Sequence, residues 1–182
     1  CLLSFGLAAG LDPALPPGSI VIPGAVKAWS NTWSCDATLR HILGADQQGV
    51  INSPLLHHDD VVLEAQHKAT LFADTHCAAL DMESGFLAQA AQEAGLPFAV
   101  LRVICDPATR SLPPVTACVI SPDGGLKIGL LLRSLLRHPS QISGLINLGR
   151  DAGLARKAML HFLHTQAERP AFRQFANGNA RG

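Results

Sequence analysis

The 182-residue chain is 48% hydrophobic and 15% charged, enough apolar material for one domain around a buried sheet. Its 14 basic and 14 acidic residues cancel, which argues against the positive field that polymeric nucleic acid or an anionic membrane surface attracts. Five widely spaced cysteines without a CxxC pair argue against a disulfide framework and a zinc knuckle, and fit a reducing cytoplasm.

The chain opens on an apolar run, Cys1 to Leu11, with neither a leading methionine nor the basic stretch of a signal peptide, and the reading is that an upstream portion is missing. Leu2 to Phe5 is expected as a short strand that turns at Gly6-Leu7-Ala8-Ala9-Gly10, where small residues allow close backbone approach. Asp12-Pro13 and Pro16-Pro17-Gly18 punctuate a loop, and strand character returns at Ile20 to Ile22, Ala25 to Trp29 and Gly49 to Ile51. Asp59 and Asp60 are placed to cap a helix reaching Ala73, with Val62, Ala65, Ala69 and Phe72 at helical spacing.

A strand at Ala78 to Met82 and a helix at Glu83 to Ala94 follow, with Leu87, Ala90, Ala91 and Ala94 on one apolar face. Gly95 stops that helix, and Pro97 to Cys105 reads as a long apolar strand broken only by Arg102. Strand, helix and strand predict a right-handed parallel crossover. Beyond Asp106-Pro107 the sequence predicts a loop, a leucine-dense helix over Leu126 to Arg137, helices over Gln141 to Leu148 and Asp151 to Gln166, and a frayed tail over 170–182. The expected fold class is α/β: a three-layer α/β/α sandwich with a mixed central sheet, in one domain over 1–169.

Two carboxylates stand at successive strand ends, Glu83 after Asp81-Met82 and Asp106 after Arg102. Crevices outside the carboxyl ends of strands collect ligands in α/β folds, so both can face one pocket. Each also has a structural reading: Glu83 as a negative charge on a helix's first turn, Asp106 as a turn residue before Pro107. Arg102, inside an apolar strand, requires a carboxylate partner under either reading. His57-His58-Asp59-Asp60 has metal-ligand residue types, but adjacent positions diverge and no second cluster completes a site, so it reads as a solvated helix start and no metal is expected. Gly6-x-x-x-Gly10 lacks the spacing and the Lys-Ser/Thr of a phosphate-binding loop.

Ala79-Leu80-Asp81-Met82-Glu83-Ser84, followed by Leu96 to Asp106 with its Arg-x-x-x-Asp, resembles the nucleoside phosphorylase and methylthioadenosine/adenosylhomocysteine nucleosidase superfamily. Ser4 to Leu11, with Gly18-Ser19-Ile20-Val21-Ile22 behind it, is similar to that superfamily's glycine-rich strand-loop and its next strand. The Asp-Met-Glu-Ser form, Asp106-Pro107-Ala108 and the leucine- and arginine-rich region from Leu130 to Arg150 look most like bacterial hopanoid-associated phosphorylases. The resemblance implies a phosphorylase/hydrolase-like fold that lacks its N-terminal β-α-β portion.

It further implies cleavage of the N-glycosidic bond of an adenine nucleoside, by phosphorolysis of adenosylhopane in hopanoid biosynthesis. The alternatives are a hydrolytic methylthioadenosine/adenosylhomocysteine nucleosidase and an inactive nucleoside-binding protein. Asp106 would protonate the base as general acid and Arg102 would help position the nucleophile. Glu83 would hold the ribose hydroxyls, Met82 would pack on the sugar, and Gly6, Leu7 and Ala8 would form the nucleophile-side loop. No cofactor is implied, only inorganic phosphate as co-substrate. The expected ligand is a small nucleoside, lipid-linked in the hopanoid case. The chain would be a cytoplasmic homo-oligomer without an integral membrane segment, placed at the inner membrane's edge if its substrate is a lipid. Two departures from the pattern stand out, Leu7 in place of a hydroxyl residue and Cys105 in place of a serine beside the acid.

Overall fold

The computed structural model describes residues 1–112 and 142–179. Its centre is a curled, mixed seven-stranded sheet built from β1 (Leu2–Gly10), β2 (Ile20–Val21), β3 (Ala25–Ala28), β4 (Asn31–Ser34), β5 (Leu55–His57), β6 (Ala79–Asp81) and β7 (Phe98–Asp106). The strand order is β2-β7-β1-β6-β5-β3-β4. Among the described residues five helices surround it: α1 (Ala37–Leu43), α2 (Ala65–Thr75), α3 (Ser84–Glu93), α4 (Ile142–Glu168) and α5 (Pro170–Asn179).

The layering follows from side-chain alternation along the strands. On β7, Phe98, Val100 and Ile104 point to one face, where they meet Ala88 and Ala91 of α3 together with Ala8, Leu55 and Ala79. Ala99, Leu101 and Val103 point to the other, against Leu39 and Leu43 of α1 and Ala155 and Phe162 of α4. A third cluster, Leu11, Val62, Cys77 and Leu80 with Leu71 and Phe72, seats α2. Helices therefore cover both faces, as the expected three-layer α/β/α fold requires. No helix among the described residues is long and apolar enough to cross a membrane.

Several expectations are corrected. The turn predicted at Gly6 to Gly10 does not form, because β1 continues through it in a parallel ladder with β7 from Leu2↔Phe98 to Ala8↔Ile104, then across a register shift to Ala9↔Asp106. β1 also lies between β6 and β7 and pairs antiparallel with β6, so the strand-helix-strand unit is not a parallel crossover. α2 starts at Ala65, six residues beyond Asp59. Val62 is drawn into the third cluster, and the Ala65 N–H is satisfied by Ser111 Oγ at 3.0 Å rather than by an aspartate cap.

The two helices predicted around Gly149 form one, α4, since packing of Ala155 and Phe162 on the sheet outweighs the roughly 1 kcal/mol that an interior glycine costs. The tail expected to fray is helical as α5: Pro170 suits a helix's first position, and Phe175 packs into the cluster beneath α1 and α4. Arg169 secures the junction by donating to both Asp46 carboxylate oxygens, at 3.2 and 3.1 Å. The leucine-dense helix expected over Leu126 to Arg137 lies outside the described residues.

Candidate active site

The carboxyl ends of β6 and β7 open onto one cavity of about 280 Å³. Leu7 and Ala8 of β1, Met82 and Glu83 after β6, and Cys105 and Asp106 of β7 all line it, so six residues from three separate segments converge there. Val61, Val62, Leu80, Leu112 and Leu148 complete an apolar wall that the sequence reading did not anticipate.

Glu83 occupies the N-cap position of α3 but makes no capping hydrogen bond. Asp81 does that instead, accepting from the Ser84 N–H at 3.1 Å and from Ser84 Oγ. Glu83 thus places its charge at the start of α3 without capping it. Its carboxylate is 63% exposed and has one protein partner, Arg102 Nη2 at 3.2 Å.

Arg102 is 4% exposed. Its Nη2 reaches Asp81 Oδ2 at 2.5 Å, Ser4 Oγ at 2.7 Å and Ser84 Oγ at 3.2 Å, besides Glu83. Two carboxylates and two hydroxyls offset the desolvation that an arginine within an apolar strand incurs. Arg102 thus sits behind Glu83, on the α3 face of the sheet. Gly6, its parallel partner in β1, lies under the guanidinium and does not line the cavity.

Asp106, the last residue of β7, is 4% exposed, so it is no turn residue. Its Oδ2 accepts from Lys68 Nζ at 2.6 Å while its Oδ1 is buried without a partner among the described residues. Burial, the dominant effect, pushes the carboxyl above its ordinary value, and the Lys68 hydrogen bond and charge pull it part of the way back. Beside it, Cys105 donates to the Ala8 carbonyl at 3.6 Å, and burial raises its thiol to about 11.

Lys68 was missed by the sequence reading, although a signal existed. It lies three residues after Ala65 and four before Phe72, on the apolar side of α2, where an unpaired lysine is not tolerated. His57 was read as part of a solvated segment but is 4% exposed, packed against Trp29 and Phe86 with ring centroids 5.0 and 4.7 Å away. Among the described residues no group of three or more His, Cys, Asp or Glu side chains is arranged to hold a metal.

A family model described as Phosphorylase superfamily matches residues 2–116. Among curated proteins none matches the chain. Among solved structures, the 5'-methylthioadenosine/S-adenosylhomocysteine nucleosidase of Neisseria meningitidis is similar at 21% identity and a TM-score of 0.53, over 59% of this chain and 57% of that one. The corresponding nucleosidase of Campylobacter jejuni is similar at 18% identity and a TM-score of 0.55, over 60% and 57%. A futalosine hydrolase mutant of Helicobacter pylori is similar at 15% identity and a TM-score of 0.56, over 91% and 67%. These likenesses establish the fold, and the chain spans a little more than half the length of the first two relatives.

Proposed function

The chain belongs to the Phosphorylase superfamily, and from that premise we propose that it cuts the N-glycosidic bond of an adenine nucleoside, with Asp106 as general acid and Glu83 holding the ribose. The observation that carries this reading is that a buried acid with an elevated pKa and an exposed, arginine-backed carboxylate line the same apolar cavity. A carboxyl whose pKa is raised holds its proton to higher pH than an ordinary aspartate and can give it to a purine nitrogen, and the base then leaves uncharged. Glu83 has acceptor capacity left for the two ribose hydroxyls, and Met82 offers the sugar an apolar surface. Arg102, held by Asp81 and Ser4, acts here by positioning Glu83.

The finer reading is phosphorolysis of adenosylhopane, with inorganic phosphate as co-substrate. It rests on the likeness of Asp81 to Ser84 and of Asp106-Pro107-Ala108 to the hopanoid-associated phosphorylases, and on the apolar lining by Leu7, Val61, Val62, Leu112 and Leu148. Hydrolysis of a methylthioadenosine-type nucleoside is the second reading, favoured by the fold neighbours, which are nucleosidases and a hydrolase. Adenine release by the full-length protein decides between them. Release from adenosylhopane that requires phosphate supports phosphorolysis. Efficient cleavage of methylthioadenosine without phosphate, with adenosylhopane ignored, replaces it with hydrolysis, and no adenine from either substrate overturns the glycosidic reading.

A further inference from the structure

Lys68 has its side chain in the protein interior, at 0% exposure, eleven residues from the nearest described strand end in sequence but against the end of β7 in space. Its ammonium has three hydrogens and three acceptors: Asp106 Oδ2 at 2.6 Å, the Pro107 carbonyl at 3.2 Å and the Arg110 carbonyl at 3.0 Å. The lysine is fully committed, whereas the carboxylate is not, since Asp106 Oδ1 is buried with no partner among the described residues. A pair serving only to hold α2 on the sheet would be expected to satisfy both carboxylate oxygens, because an orphaned buried acceptor is costly. An oxygen that carries a proton for delivery into the cavity is free by necessity.

We propose that Lys68 is the positioning residue of Asp106: it anchors Oδ2, leaves Oδ1 to bear the transferable proton toward the cavity, and steadies the carboxylate that remains after transfer. The inference rests on the reading of Asp106 as the acid. In the step itself the Oδ1–H bond breaks and an N–H bond forms on the base. The electron pair of that O–H bond stays on Asp106, the glycosidic pair leaves with the base, and C1′ of the ribose takes an oxygen of phosphate or water in its place. Lys68 keeps all three of its hydrogens.

The charged and titratable groups facing Asp106 are Lys68 from α2, Arg110 from the loop after β7, Asp151 from α4, Cys105 from β7 and, across the cavity, Glu83. Arg110, itself paired with Asp151, pulls on Asp106 less than Lys68 does, and Asp151 pushes the other way. Lys68 is the group left to oppose burial. Without it the acid would hold its proton more tightly and release it more slowly.

The test compares the wild-type full-length protein with Lys68→Met, which removes the charge at similar volume, and with Lys68→Arg, which keeps it. The Asp106 carboxyl is titrated by ¹³C NMR, with Asp106→Asn identifying its resonance, and cleavage is followed on an adenine nucleoside and on 4-nitrophenyl riboside, whose leaving group departs without a proton. Expected for Lys68→Met are an Asp106 pKa higher by about one unit or more, and a kcat on the adenine nucleoside lower by about tenfold or more, with the nitrophenyl substrate changed by about twofold at most. Lys68→Arg should return the pKa toward wild type. Where Lys68→Met does not fold, Lys68→Gln, which keeps a donor but loses the charge, gives the same comparison. An unmoved Asp106 pKa, or equal losses on both substrates, overturns the role given to Lys68. A wild-type protein that releases no adenine overturns the nucleoside reading instead, and the carboxyl titration still decides whether Lys68 governs Asp106.

Discussion

The Arg102 guanidinium fills the space over Gly6, where a Cβ would come within 2.3 Å of Nη1 and 3.6 Å of Cζ. The two residues are register partners in the β1–β7 ladder, and Arg102 is tethered beyond Gly6 by Ser4, Asp81, Ser84 and Glu83. Moving aside would strain those bonds. Gly6→Ala should therefore destabilise the fold by about 1–3 kcal/mol and loosen Glu83. Thermal unfolding and nucleoside kinetics report this as a lower Tm and a higher KM. If neither changes, the guanidinium swings aside without consequence.

Asp106→Asn removes the transferable proton while keeping the shape and an oxygen acceptor for Lys68. Adenine release should fall by about a hundredfold or more, with circular dichroism unchanged. Normal turnover by the variant would show that another group protonates the base.

Glu83→Gln halves the acceptor capacity facing the cavity and neutralises the charge that Arg102 supports. A ribonucleoside, with two hydroxyls to bind, should lose more in kcat/KM than its 2'-deoxy counterpart. Equal losses would return Glu83 to a structural role at the start of α3.

The elevated Asp106 pKa sets the sign of two pH effects. The acid works only when protonated, so kcat/KM should be level below its pKa and fall by about tenfold per pH unit above it, a limb absent in Asp106→Asn. For stability, the folded state holds the proton at pH values where the unfolded carboxyl, near 3.9, has lost it. Stability therefore falls as pH rises from the unfolded value through the folded one. Melting curves across that window should show the wild type losing ground to the Asn variant as pH rises, and parallel curves would mean that Asp106 titrates normally.

Strand alternation, a helix-ending glycine and the Asp-Met-Glu-Ser and Arg-x-x-x-Asp segments were legible in the sequence because they depend on neighbours a few residues away. They place β6, α3 and β7 within a residue or two, and they bring Met82, Glu83 and Asp106 to strand ends. What they could not contain is which strand stands beside which. β1 enters between β6 and β7 because its full-length apolar ladder with β7 pairs more backbone than a short β6 could, and that insertion turns an apparent glycine loop into a strand lying under Arg102. The pairing of Lys68 with Asp106 across 38 residues is likewise a product of α2 docking on Leu11, Val62 and Leu80. Local pattern marks a lysine on an apolar face as needing a partner, but the partner's identity depends on distances through space that only the packed sheet and helices set.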